Sequence, residues 1–228
     1  MMAGEFKEMM TVRGLRWFGS EVFELSLERE GLPFTPGDCL ALFAADGRVS
    51  RPYSIASGTG EKVVRFVIRL MKGGEVSPFL ATRKKGDAVR VSPPFGWFRP
   101  GEHAPAKPCV FVATGTGIAP FMSALRSRPE LKPEAVFYGV RQWSDAIEPA
   151  WLVERAHAKI AVSRERKDGC HHGRVTGLLD GIEKIPGADY YLCGLDAMID
   201  EVTGWLEQRG IDIRHIHREC FFNASYYT

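Results

Sequence analysis

Cys109-Val110-Phe111-Val112-Ala113-Thr114-Gly115-Thr116-Gly117-Ile118-Ala119-Pro120 runs from a short apolar stretch through a glycine turn into a helix opening. Cys109–Ala113 reads as a strand, and Ala119-Pro120 starts a helix. The two glycines let the backbone approach an anion, and the helix start offers free N–H groups to a pyrophosphate. Many strand–helix turns use glycine for geometry alone, so the pair carries weight through its context. It is not the Gly-x-Gly-x-x-Gly fingerprint, because Pro120 stands where the third glycine falls.

The same alternation continues downstream. Apolar runs at Ala135–Val140, Lys159–Ser163, Tyr190–Cys193 and Ile213–His217 read as strands between helical segments. The clearest helix is Asp196–Arg209, where Met198, Val202 and Trp205 or Leu206 recur at helical spacing. Strands alternating with helices predict a parallel, doubly wound α/β sheet, with ligands at the carboxyl ends of its strands near the switch point.

Upstream the texture is β. Phe23, Leu25 and Leu27 alternate with Val22, Glu24, Ser26 and Glu28; Val64, Phe66, Ile68 and Leu70 alternate with residues that include Arg65 and Arg69. Short strands broken by Pro36-Gly37-Asp38, Gly58-Thr59-Gly60 and Lys85-Gly86-Asp87 predict a small antiparallel barrel. One short helix is expected near Ser77-Pro78, with serine as cap and proline in the first turn. The Pro/Ala-rich stretch Pro100–Pro108 reads as a linker, giving a barrel domain over 1–100 and an α/β domain over 108–228.

Composition narrows the functional classes. With 228 residues the chain suits two domains of about 100–120 residues. No stretch reaches the roughly 18 uninterrupted apolar residues of a membrane span, and Glu5 and Glu8 keep the N-terminus from reading as a secretory signal. The five cysteines are odd in number and far apart, which draws neither a disulfide framework nor an iron–sulfur or zinc spacing and suits a reducing cytoplasm. Cys170-His171-His172 reads as a polar loop, so no metal is expected. A net charge of +2 makes no case for nucleic acid; Arg83-Lys84-Lys85 and Arg164-Glu165-Arg166-Lys167 read first as solvated faces.

Four segments carry chemistry. Arg51-Pro52-Tyr53-Ser54-Ile55-Ala56-Ser57 sets a permanent cation and a flat aromatic on one side of an extended strand and Ser54 on the other, which suits a ligand flat at one end and anionic further along. Lys72–Ser77 is either a second phosphate contact through Gly74 and Ser77 or a hairpin turn running into a capped helix. Ser163-Arg164 and Arg174 end a strand and its sequel, where an arginine reads a nucleotide 2′-phosphate unless Arg164 only pairs with Glu165. Cys193-Gly194 ends another strand, with the cysteine either a small buried hydrophobe or a side chain facing the crevice.

Eight pieces occur together in one order: Arg51–Ser54, Gly74–Ser77, Pro94-Phe95-Gly96, Gly115–Pro120, Gly139-Val140-Arg141, Ala161–Glu165, Cys193-Gly194-Leu195 and Glu219-Cys220-Phe221. In this the chain resembles the ferredoxin–NADP reductase family across nearly its whole length. The resemblance implies a non-covalent FAD held by Arg51, Pro52, Tyr53 and Ser54, by the strand carrying Val67, Ile68 and Arg69, by Gly74, Val76 and Ser77, and by Thr116. It implies NADP(H) held by Gly115, Thr116, Arg141, Ser163, Arg164, Arg174, Cys193, Gly194 and Met198, with Ser54, Cys193 and Glu219 at the reacting end. Phe221 is expected to cover the flavin, although the chain runs on to Thr228 past the place where plant-type members end. The activity implied is electron exchange between NADP(H) and a ferredoxin or flavodoxin by hydride transfer to flavin N5; the sequence does not fix the oligomeric state, with a monomer slightly favoured. Alternatives are the reductase component of a multicomponent oxygenase, which in this chain would need a separate ferredoxin, and a non-catalytic flavin subunit.

Overall fold

Period-two alternation builds the first unit of the computed structural model, which describes residues 8–181 and 185–220. In chain order this unit contains β1 (Met9–Phe18), β2 (Val22–Glu28), β3 (Cys39–Phe43), β4 (Ser50–Ser54), β5 (Val63–Arg69), α1 (Val76–Ala81) and β6 (Ala88–Arg90). Phe23, Leu25 and Leu27 of β2 enter the core with Val64, Phe66 and Ile68 of β5. The four-stranded antiparallel sheet runs β5-β2-β1-β6. The β3–β4 hairpin is tied to it by the bridges Leu42↔Val91 and Ile55↔Phe66, which close the barrel. The second face of β2 and β5 is also partly covered, since Val22, Glu24 and Val67 are buried.

The short helix starts before the expected Ser77-Pro78. Glu75 precedes its first residue, Val76, and no side chain caps it. The Ser77 hydroxyl instead accepts the Met71 N–H at 2.9 Å, so it holds the Lys72–Gly74 turn. A serine that suits a cap by composition is used one turn earlier because the backbone there has the unpaired donor.

The chain continues through β7 (Cys109–Thr114) into a 3₁₀ turn, Gly115–Ile118, and then α2 (Ala119–Ser127). By contacts, residues 119–127 belong with the first unit. Ser123 donates to the Ser57 carbonyl at 2.8 Å, Arg126 to the Ala56 carbonyl at 2.8 Å, and Ser127 accepts the Thr59 N–H at 2.9 Å. Gly58 makes this docking possible: a Cβ there would stand 2.9 Å from Arg126 Cβ and 3.1 Å from its backbone.

The second unit comprises residues 98–118 and 128 onward. Besides β7 it holds β8 (Ala135–Val140), α3 (Pro149–Ala156), β9 (Lys159–Val162), β10 (His171–His172), β11 (Asp189–Gly194), α4 (Asp196–Gln208) and β12 (Ile216–Cys220). All six strands are parallel, in the order β10-β9-β8-β7-β11-β12. The order reverses between β7 and β11, which is the topological switch point. Met198, Ile199, Val202 and Leu206 pack α4 on the sheet. The expected strand Ile213–His217 is displaced: Asp212 accepts the Arg214 backbone N–H at 2.9 Å and pairs with its guanidinium at 2.8 Å, winding 213–215 into a turn, and pairing starts at Ile216.

The stretch with a linker's composition is packed rather than loose. Arg128 donates to the Gly101 carbonyl at 2.7 Å and also to that of Pro100. Gly101, at φ +64°, leaves no room for a side chain, since a Cβ would meet Leu131 at 2.9 Å and Phe111 at 3.4 Å.

One buried carboxylate ties this segment to the sheet. Asp189, 2% exposed, takes Lys107 Nζ at 2.7 Å and His215 Nδ1 at 2.9 Å, with His103 Nδ1 at 3.4 Å and His217 Nε2 at 3.7 Å. Burial alone pushes its carboxyl up, but the Lys107 and His215 hydrogen bonds and the neighbouring positive charges outweigh that and hold it below the ordinary range. A depressed carboxylate contributes stability that is complete above the ordinary value of about 3.9 and is lost as pH falls through the folded-state value. Asp189→Asn is therefore expected to cost about 1–3 kcal/mol at neutral pH and to flatten the acid limb of a plot of melting temperature against pH. An unchanged acid limb would refute this.

Candidate functional site

In the first unit the Arg51–Ser54 strand pairs with β3, with Leu42 opposite Arg51, Leu40 opposite Tyr53 and Cys39 opposite Ser54. Arg51 is exposed; its guanidinium donates to the Ser50 carbonyl at 2.8 Å, and no carboxylate pairs with it among the described residues. Tyr53 packs against the barrel core, and burial pushes its phenol up to about 12, with the Arg51 charge pulling the other way. Arg51 and Tyr53 thus act on one another, and Pro52 between them is half-buried. Ser54 is buried, and its hydroxyl lies 3.4 Å from Cys39 Sγ. Sequence reasoning missed Cys39, because only the register of the hairpin brings it to Ser54.

Of the β5 residues, Ile68 is core, Val67 is buried opposite Glu24, and Arg69 pairs with Glu21 at 2.8 Å. Gly74 closes a turn by donating its N–H to the Met71 carbonyl at 2.8 Å, and Val76 is buried. Next to this turn lies a concavity of about 390 Å³ lined by Ala44, Ala45, Asp46, Glu75 and Phe79. The exposed Arg51 cation and the half-buried Tyr53 plane suit a ligand with one flat and one anionic end, whereas the concavity, with Asp46 and Glu75 in its lining, does not itself favour an anion.

The second unit sets its polar residues at the carboxyl ends of the strands. Val140 pairs with Val162 and Val162 with His172. Arg141, Arg164 and Arg174 therefore follow, by one or two residues, the paired ends of three adjacent strands. Arg164 and Arg174 are exposed, and neither has a carboxylate partner among the described residues. Glu165 does not pair with Arg164; its carboxylate accepts the Trp143 backbone N–H. Ser163 is exposed and donates its hydroxyl to the Val140 carbonyl at 3.4 Å.

At the switch point the two glycines of the turn do different work. Gly115 has φ +53° and open space around its missing side chain. Gly117 faces β11, where a Cβ would stand 2.3 Å from the Cys193 carbonyl oxygen and 2.8 Å from Gly194 Cα. Its lack of a side chain serves strand packing, a correction to the expectation that both glycines open the turn to an anion. Thr116 is half-exposed on this turn. Cys193 is fully buried, and Glu219 lies beside it in the register of β12. Burial raises the Glu219 carboxyl, against the pull of the Arg99 charge. Met198 of α4 is buried in the core. Phe221 and the tail to Thr228 lie outside the described residues. Among those described, no helix is long and apolar enough to cross a membrane, and no group of three or more His, Cys, Asp or Glu is arranged to hold a metal ion.

Two known domain types match the chain in succession, and residues 119–127, which pack with the first unit, fall within the second match. Residues 19–99 match the oxidoreductase FAD-binding domain, and residues 111–203 match the oxidoreductase NAD-binding domain. The ferredoxin–NADP reductase B of Sorangium cellulosum is 31% identical over 237 aligned positions, covering 93% of this chain and 96% of that protein. The chain belongs to the ferredoxin–NADP reductase family. It is an oxidoreductase module of that family, and its cofactors are FAD and a nicotinamide nucleotide.

Other relatives in the family are reductase components. That of the naphthalene 1,2-dioxygenase/salicylate 5-hydroxylase systems of a Ralstonia species is 30% identical over 212 positions, covering 85% of this chain and 62% of the component. The chain thus spans about three-fifths of the length of such components. Among solved structures, the Amycolatopsis cytochrome P450 reductase matches with a TM-score of 0.83 and 25% identity, over 95% of this chain and 70% of that one. A Neisseria gonorrhoeae ferredoxin NADP⁺ reductase with bound FAD and NADP shares the fold at a TM-score of 0.79 and 20% identity, over 94% of this chain and 98% of that one.

Proposed function

We propose that this reductase passes electrons between NADPH and a small one-electron carrier, a ferredoxin or flavodoxin. The observation that supports the choice of NADPH is the row of Arg141, Arg164 and Arg174 beyond three adjacent strand ends, with no carboxylate on the last two. Their charge suits the 2′-phosphate that separates NADPH from NADH.

Bound FAD would supply the redox chemistry, two-electron exchange with the nicotinamide and one-electron exchange with the carrier. The protein's part is to bind and orient. Arg51 would meet the pyrophosphate and Tyr53 the ring, with Ser54 presenting its hydroxyl to the ring edge. Gly74, Val76 and Ser77 would hold the far phosphate through the turn that Ser77 itself ties down, and Val67, Ile68 and Arg69 would back the adenosine half. On the nucleotide side Gly115, Thr116, Cys193 and Gly194 would shape the nicotinamide end, with Ser163 beside the 2′-phosphate and Met198 of α4 supporting from the core. Glu219, its carboxyl raised by burial against the pull of the Arg99 charge, would stand near the reacting end.

The deciding test uses the visible spectrum of the purified protein under NADPH and NADH, followed by electron delivery to ferredoxin and flavodoxin. Arg164→Ala should raise the Michaelis constant for NADPH about 10-fold or more, from the loss of a charged contact, and leave that for NADH nearly unchanged. Equal losses with both would make Arg164 structural. A second reading, reductase component of an oxygenase, is favoured by the dioxygenase relatives. It would show as preferred delivery to an oxygenase's ferredoxin over a flavodoxin.

A further inference from the structure

Thr114, the last residue of β7, faces two neighbouring strands. Its hydroxyl accepts the Leu195 backbone N–H at 3.0 Å. Gly194, at φ +141°, lies so close that a Cβ there would stand 2.1 Å from Thr114 Oγ1 and 2.9 Å from the Thr114 carbonyl oxygen. On the opposite flank Thr114 pairs with Gly139 of β8, where a Cβ would be 3.3 Å from Thr114 Cγ2. Among the described residues the ladder between β11 and β12 runs to Gly194. Leu195, exposed, is where the chain leaves β11 for α4, and its N–H is bonded by the Thr114 hydroxyl.

We propose that Thr114 is a positioning residue: its hydroxyl fixes the corner Cys193-Gly194-Leu195 and thereby the nicotinamide end of the crevice. This rests on reading the switch point as the nicotinamide nucleotide site. A strand end held at one backbone N–H keeps its geometry whether or not a ligand is present, which is how a crevice is preorganised. The contact reaches only the part of the nucleotide that NADP⁺ and NAD⁺ share. Its loss should therefore weaken both alike, unlike loss of Arg164.

Substitution separates the two flanks of the side chain. Thr114→Ser keeps the acceptor and drops the methyl; Thr114→Val keeps the methyl and drops the acceptor. Because a methyl in place of Oγ1 also crowds Gly194, Thr114→Ala serves as a companion that removes the acceptor without adding bulk. With the FAD-loaded full chain, two quantities are read: the dissociation constants of NADP⁺ and NAD⁺ by calorimetry, and hydrogen exchange at the Leu195 amide. The Val and Ala proteins should weaken both nucleotides by the same factor, about 3- to 10-fold, and exchange Leu195 faster. The Ser protein should stay within about 2-fold of the parent on both measures. Unchanged affinities in the Ala protein, or a Ser protein as impaired as Ala, would overturn the clamp. Parent protein that binds neither nucleotide would overturn the reading of the crevice and the clamp with it.

Discussion

Gly117→Ala is expected to weaken nicotinamide nucleotide binding by about 5- to 150-fold while leaving the flavin absorption of the protein in place. The added Cβ would stand 2.3 Å from the Cys193 carbonyl oxygen, 2.6 Å from its carbonyl carbon and 2.8 Å from Gly194 Cα. These are backbone atoms of a strand paired on both sides, by β7 and by β12, so no flexible side-chain end can yield. Forcing extra volume into such a site costs about 1–3 kcal/mol, and occasionally more. Relief would move β11 away from the turn and pull apart the crevice end that Cys193 and Gly194 form. Gly115→Ala provides the contrast. It adds a Cβ into open space and bears only the left-handed backbone, φ +53°, a cost of about 1–2 kcal/mol. Calorimetric titration with NADP⁺ should find Gly117→Ala weakened more than Gly115→Ala, because only the former displaces the backbone of β11. Equal behaviour of the two variants would refute the assignment of Gly117 to strand packing.

Arg51→Ala is expected to lose FAD. A charge-assisted contact to phosphate is worth about 1.5–3 kcal/mol, or about a 10- to 150-fold loss of affinity. The guanidinium makes only a hydrogen bond to the Ser50 carbonyl among the described residues, so its removal breaks no ion pair within the barrel. The melting temperature of flavin-free protein should therefore hardly change. Titration of that protein with FAD measures the effect. A variant that purifies fully loaded, with unchanged affinity, would remove Arg51 from the site.

Both expectations begin in short sequence signals, but only one could be argued from them. Arg51 can be argued because a cation and an aromatic two residues apart share one face of a strand, with a hydroxyl on the other, a pattern that suits a ligand flat at one end and anionic further along. Gly117 is legible only as a glycine in a turn. Its partner, the Cys193 carbonyl, arrives through the pairing of β7 with β11, which no local pattern reveals. Cys39 and Thr114 were missed for the same reason: each acts across a strand pair. Ser77 shows the converse error. Its residue type suits a helix cap, but Ser77 lies inside the helix, after Val76, and its hydroxyl accepts the Met71 N–H instead.

By itself the sequence determined the two kinds of sheet, the place where one pattern gives way to the other, and the glycine turn that opens α2. These follow from backbone geometry, in which period two and period 3.6 put apolar groups on one face without reference to distant residues. The tertiary structure alone decided that residues 119–127 pack with the barrel, that Asp189 gathers Lys107 and three histidines, and that Arg141, Arg164 and Arg174 line up at adjacent strand ends. Each of these depends on strand order and register, which arise when separate segments bury their apolar faces against one another, and no single segment encodes its partner.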